Sequence, residues 1–278
     1  MSFLVLLLVL WVEKFSAWRA RIQQDGPWLR LLAWVERQAD FIESPWLAVL
    51  LLVLLPLVAL ALLLTLLEPL AYGWLALPVH LLVLIYSLGR GDPLAALGPF
   101  RDSWRRGDAE AAYLVARRDL ALQAEEEGAL LQQVQSYLLW QAYQSFFAVI
   151  FWYALLGPVA ALAYRLLALM TEHAQQPIVR ERAVQWRHAF DWLPVRLLAG
   201  SFALVGNFVA VSRVLLHELL NWDVSAAQLV VHAGRAAAEV SEPVLGEAGV
   251  ASLDGLWQLL VRAAVLWYAG LAVWTLLL

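Results

Sequence analysis

Apolar residues are not spread evenly along this chain. They gather in long blocks separated by short charged stretches. Trp46 to Leu67 is a run of 22 residues without a charge, and Pro69 to Leu88 adds 20 more. A bilayer core of about 30 Å needs about 20 apolar helical residues, so each run is long enough to cross. Bare backbone polar groups are too costly in lipid for any open state, and Leu favours helix. Ser44-Pro45 opens the first run, Glu68-Pro69 predicts a tight hairpin between the two, and Gly89-Arg90-Gly91-Asp92-Pro93 stops the second. Two later blocks are also candidate spans: 146–170, with Arg165 as its one charge, and 256–278, with Gln258 and Arg262 in its first two turns. Residues 189–211 are apolar except for Asp191 and Arg196, with Gly200, Gly206 and Asn207 among them; this segment either spans or re-enters.

The intervening segments are mixed. Phe3 to Val12 is apolar, but ten residues are too few to span. No positive residue precedes it and no small-residue cleavage site follows, so it reads as a short interfacial helix extended by Glu13 to Trp18. Leu29, Leu31, Leu32, Val35, Ala39 and Ile42 predict an amphipathic helix after Gly26-Pro27. Another helix starts near Asp108 and ends at Glu125-Glu126-Glu127-Gly128. A long helix follows from Ala129 to Met170, with Gly157-Pro158 as the place for a break. Its first part carries Gln133, Tyr137, Gln141, Gln144 and Ser145 at helical spacing. A polar stripe entering a span faces other helices or a water-filled cavity rather than lipid.

Composition agrees. Of 278 residues, 63% are hydrophobic and 15% charged, too little charge for a soluble surface. The fold class expected is all-α: a polytopic helical membrane protein forming one domain over residues 1–278. A net charge of −4 offers no basic face to nucleic acid. The absence of cysteine excludes disulfides, cysteine zinc sites and thiol catalysis. Segments 13–45 and 88–142 carry five and six basic residues, which places them in the cytoplasm by the positive-inside rule. Arginines within 170–255 fit that rule only if 189–211 also crosses or dips in and returns. Trp11, Trp18, Trp46, Trp257 and Trp274 stand near span ends, where aromatic belts form.

One set of strings is specific. Ala148-Val149-Ile150-Phe151-Trp152, Gly157-Pro158, Tyr164-Arg165 and Asp191-Trp192-Leu193-Pro194-Val195-Arg196-Leu197-Leu198-Ala199-Gly200 resemble the AmpE family. The likeness extends to the Leu-rich start with Glu13, the hairpin at 46–88 and the apolar C-terminus. It implies an inner-membrane companion of a cytoplasmic AmpD-type amidase, in peptidoglycan recycling and β-lactamase induction. AmpE proteins are in turn similar to the CobD/CbiB membrane enzymes of cobalamin synthesis, which form an amide in an ATP-dependent condensation. Aligned on Ala148–Trp152, the two glutamates of those enzymes fall on Ser136 and Trp140, and an asparagine on Gln141. Aligned on Pro194 and Arg196, their two aspartates fall on Arg187 and His188, and a second asparagine on Asp191. Acyl activation by ATP uses Mg²⁺, and Mg²⁺ needs carboxylates. The substitutions therefore argue against the synthase reaction and lean away from an enzyme, while the bundle persists.

The site expected is a polar intramembrane cavity lined by Gln141, Gln144, Arg165, Asp191 and Arg196, binding a small ligand such as a muropeptide-derived one. Each residue has a plainer role beside it. Asp191 and Arg196 would pair with each other across a break at Pro194, since unpaired charges in lipid are costly. Arg165 would bind an anion or snorkel to the interface. His80 would bond to a neighbouring helix in its neutral form. No catalytic residue, metal or cofactor is expected: His217-Glu218 lacks a second His at Asn221, and Gly89-Arg90-Gly91 lacks the Lys-Ser/Thr of a P-loop.

Overall fold

The computed structural model describes residues 5, 22–38, 45–69, 74–89, 93–123, 127–240 and 245–277. Every regular element among them is helical: α1 (Gly26–Val35), α2 (Pro45–Leu67), α3 (Ala76–Ser87), α4 (Pro93–Ala96), α5 (Gly98–Arg105), α6 (Ala109–Asp119), α7 (Glu127–Ala142), a π-turn (Tyr143–Phe147), α8 (Ala148–Leu156), α9 (Pro158–His173), α10 (Pro177–Val205), α11 (Phe208–Glu218), α12 (Ala226–Ala237) and α13 (Glu247–Leu277). The expected N-terminal interfacial helix, and Trp11 and Trp18 with it, lies outside the described residues.

The chain forms two compact units: Met1–Arg90 with Ala148–Asp191, and Gly91–Phe147 with Trp192–Leu278. In the first, α9 packs against α2, α3 and α8. Gly157 makes this arrangement. Its φ of 80° is open to glycine and strained for other residues, and Pro158 then starts α9 at the position where a missing N–H costs nothing. The block 146–170 is thus two helices packed on each other rather than one span. Most of α9 is buried, and Leu166, Leu167 and Met170 join Trp28 and Leu32 of α1 and Leu52 of α2 in one core.

Among the described residues, three helices are long and apolar enough to cross a membrane: Trp46–Leu67 with 22 residues, Gly128–Leu156 with 29 and Glu247–Leu277 with 31. The α2 span leaves Leu47, Leu50, Leu54, Leu55, Leu62 and Leu66 exposed, a face too apolar for water and suited to lipid. At its start the Trp46 and Trp186 rings meet edge-on at 5.9 Å, and the Arg182 guanidinium lies 5.1 Å from the Trp46 ring. Of the expected span 69–88, the described helix is α3, whose 12 residues fall short of a crossing. Of the segment 189–211, residues up to Val205 belong to α10, which continues through Pro194, and after a break at Gly206-Asn207 residues 208–211 open α11. Residues 256–278 lie within α13, except Leu278, which is outside the described set.

In the second unit α7 packs against α4, α6, α12 and α13, and α11 packs against α12. Asp108 caps α6 as its position predicts, accepting from Ala111 N at 2.9 Å. Glu127, expected to end a helix, instead stands at the start of α7. Arg101 pairs with Asp254, and Arg105 with Glu247 at 2.9 Å, tying α5 to α13. Between α10 and α12 the backbones touch: a Cβ on Gly206 would stand 2.7 Å from the Ala237 carbonyl oxygen.

Candidate functional site

Two of the five expected site residues, Arg165 and Asp191, lie in the first unit, where each has a partner from another element. Arg165 Nη2 donates to Asp25 Oδ2 at 3.2 Å, just ahead of α1. Asp25 is 3% exposed and Arg165 12% exposed at their side chains, so the pair is largely dry. Asp191 accepts from the Tyr164 hydroxyl at 2.9 Å and faces Arg187 Nε at 3.5 Å. Arg187 Nη1 also donates to Thr171 Oγ1 at 3.0 Å. Burial disfavours the Arg187 charge, but the Asp191 carboxylate beside it favours the charge and its pKa is held above the usual value. Elsewhere in this unit, Glu36 Oε1 accepts from Gln175 N at 2.9 Å and Gln176 N at 3.0 Å, a carboxylate just ahead of the N-terminus of α10.

The other three lie in the second unit. Gln144 Nε2 donates to Gln141 Oε1 at 2.6 Å across the start of the π-turn, so these two are brought together. Arg196 donates to the carbonyls of Trp192 at 2.8 Å and Asn221 at 2.7 Å, and to that of Leu219. Its guanidinium also stacks 4.2 Å from the Trp192 ring. It closes the C-terminal end of α11. Among the described residues Asp191 faces Arg187 and not the Arg196 expected as its partner, and the reason is helical spacing. On an unbroken helix, residues five apart point about 140° away from each other, while Arg187 and Asp191, four apart, share a face.

His80 Nδ1 lies 3.0 Å from the Tyr153 hydroxyl on α8, the interhelical bond its position predicts. Among the described residues no three His, Asp or Glu side chains converge to hold a metal. The positions aligned with the synthase aspartates carry Arg187, whose cation is already committed to Asp191, and His188. These residues do not fit a Mg²⁺ site.

Among the described residues of the second unit, two cavities bear on the site. One, of about 380 Å³, is lined by Asn207, Glu239 and Arg262; Asn207 bonds to Glu239, and Arg262 Nη1 donates to the Val205 carbonyl at 3.3 Å. The other, of about 540 Å³, is a groove between α7 and α12 that takes in Gln133 and Tyr137 of the polar stripe with Gln132, Ser136, Trp140 and Arg235. Sequence reasoning missed Asp25, Arg187 and Arg235. Only Arg187 had a readable signal, its spacing of four from Asp191.

Against this geometry, residues 1–237 match the family described as "Regulatory signalling modulator protein AmpE". This chain belongs to the AmpE family. It is a membrane regulatory protein with helices that contact the lipid bilayer. The AmpE chain is also similar to the cobalamin biosynthesis protein CobD of Stutzerimonas stutzeri (strain A1501), at 31% identity over 208 residues. The match covers 72% of this AmpE chain and 65% of that relative's length. No solved structure matches it.

Proposed function

We propose that this protein is a multi-pass inner-membrane regulator in peptidoglycan recycling and β-lactamase induction, acting beside a cytoplasmic AmpD-type amidase. The observation that carries this reading is the AmpE match over residues 1–237. The side chains support a regulator over a synthase, because Arg187 stands with Asp191 where the condensation would need metal-binding carboxylates. Of the five expected ligand residues, Gln141 and Gln144 remain as a ligand-facing amide pair. Arg165, Asp191 and Arg196 hold helices together.

The test is induction of β-lactamase in a bacterium whose own copy is deleted, challenged with a β-lactam and complemented with this chain. Restoration of the normal induction threshold is expected from the wild type, and a shifted threshold from the Gln141→Ala, Gln144→Ala double variant. A threshold that ignores the deletion ends the proposal. The CobD likeness motivates a second reading, an amide-forming membrane synthase. Complementation of a strain lacking the cobalamin enzyme separates the two; no rescue is expected, and growth without added cobalamin would favour the synthase.

A further inference from the structure

We propose that the groove between α7 and α12 binds the phosphate headgroup of an anionic membrane lipid. The inference is independent of the regulatory reading above. Among the described residues of the lining, Arg235 is the one charged side chain. It makes no ion pair or side-chain hydrogen bond with any described residue, and neither do the side chains of Gln132, Gln133 and Tyr137. Four polar heads thus converge on one space of about 540 Å³ without a side-chain partner among the described residues. The rest of the wall is apolar or aromatic, with Trp140, Leu122 and Val231.

Depth decides the class of ligand. The span Gly128–Leu156 has 29 residues. At 1.5 Å each it is about 43 Å long, roughly 13 Å more than the hydrocarbon core. The polar residues Gln132, Gln133 and Ser136 fall in its first turns, so the excess lies there, at headgroup level. Tyr137 and Trp140 are the residue types that settle at that level. A guanidinium offers paired donors to a phosphate, the two amides and the phenol suit the remaining oxygens and a glycerol hydroxyl, and the apolar wall takes the upper part of an acyl chain.

The full chain would be reconstituted in nanodiscs of phosphatidylcholine mixed with phosphatidylglycerol, and the retained lipid counted by native mass spectrometry. Wild type should retain phosphatidylglycerol about tenfold over phosphatidylcholine. Arg235→Gln should erase that preference, Arg235→Lys should keep part of it, and Tyr137→Ala should lower total retention. Unchanged elution and circular dichroism establish that each variant is folded. Glycerol 1-phosphate is the soluble probe. If it binds wild type while neither lipid is retained, the site takes a soluble phosphate and the lipid proposal is overturned. Equal retention of both lipids, or a preference that survives Arg235→Gln, overturns it as well.

Discussion

Arg165 and Asp25, 140 residues apart in the chain, form an ion pair of 3.2 Å inside the first unit. It fixes the segment leading into α1 against α9. A buried pair is dangerous to halve, because the abandoned charge has no water to turn to. Arg165→Met should cost about 3–5 kcal/mol of unfolding free energy in detergent. The double variant Arg165→Met, Asp25→Leu should recover much of it. Additive losses in denaturant titrations would show that the two side chains are not coupled.

The Asp191 carboxylate should show a graded response. Tyr164→Phe removes one hydrogen bond and keeps the ring, so about 1–2 kcal/mol is expected. Asp191→Ala strands the Arg187 guanidinium and should cost about 3–5 kcal/mol. Asp191→Asn should fall between. A Tyr164→Phe effect equal to that of Asp191→Ala contradicts the geometry at 2.9 and 3.5 Å.

Arg196 serves two carbonyls just past the end of α11, those of Leu219 and Asn221, and the Trp192 carbonyl one turn back on its own helix. Lysine has one head and cannot stack on Trp192, so Arg196→Lys should fail to replace it. The expected readout is faster amide exchange over Leu219–Asp223 in both Arg196→Lys and Arg196→Met, with α9 unaffected. Exchange unchanged from wild type removes the capping role.

Two glycines give a matched pair in one stretch of chain. At Gly206 an added methyl meets the Ala237 carbonyl at 2.7 Å, and backbone cannot step aside cheaply. Gly206→Ala should lose about 1–3 kcal/mol through overpacking. At Gly200, inside α10, nothing lies within 4 Å. Gly200→Ala should gain about 0.5–1 kcal/mol from helix propensity. Thermal unfolding of the two variants should therefore move in opposite directions.

The helical membrane class was legible in the sequence because uncharged length is a local property: Trp46–Leu67 needs no partner to declare itself. The cap at Asp108 and the bond from His80 to another helix were legible for the same reason, one being local chemistry and the other an unmet polar need. The packing of the two halves of 146–170 on each other was not. Gly157-Pro158 marks the place for a break, but the reversal there rests on Gly157 adopting a positive φ, which composition does not force. Nor were the charge partners. Asp25 meets Arg165 only after folding, and no spacing rule connects residues 140 apart. The polar stripe from Gln133 to Gln144 was visible as a pattern, but Arg235, which shares the groove with Gln133 and Tyr137, comes from a helix with no sequence link to it.

The ring and guanidinium contacts at Trp46 set a thickness for the bilayer around this protein. Arg182 beside Trp46 keeps one end of α2 at the headgroups, and Glu68 follows the other end directly. Between them 22 residues give about 33 Å of rise, close to the average hydrocarbon depth, so α2 matches an ordinary membrane with a modest lean. Thinner bilayers force the helix to tilt against its neighbours, and thicker ones drag charge inward. Hydrophobic matching of this kind makes lipid chain length a control on how tightly the first unit is held.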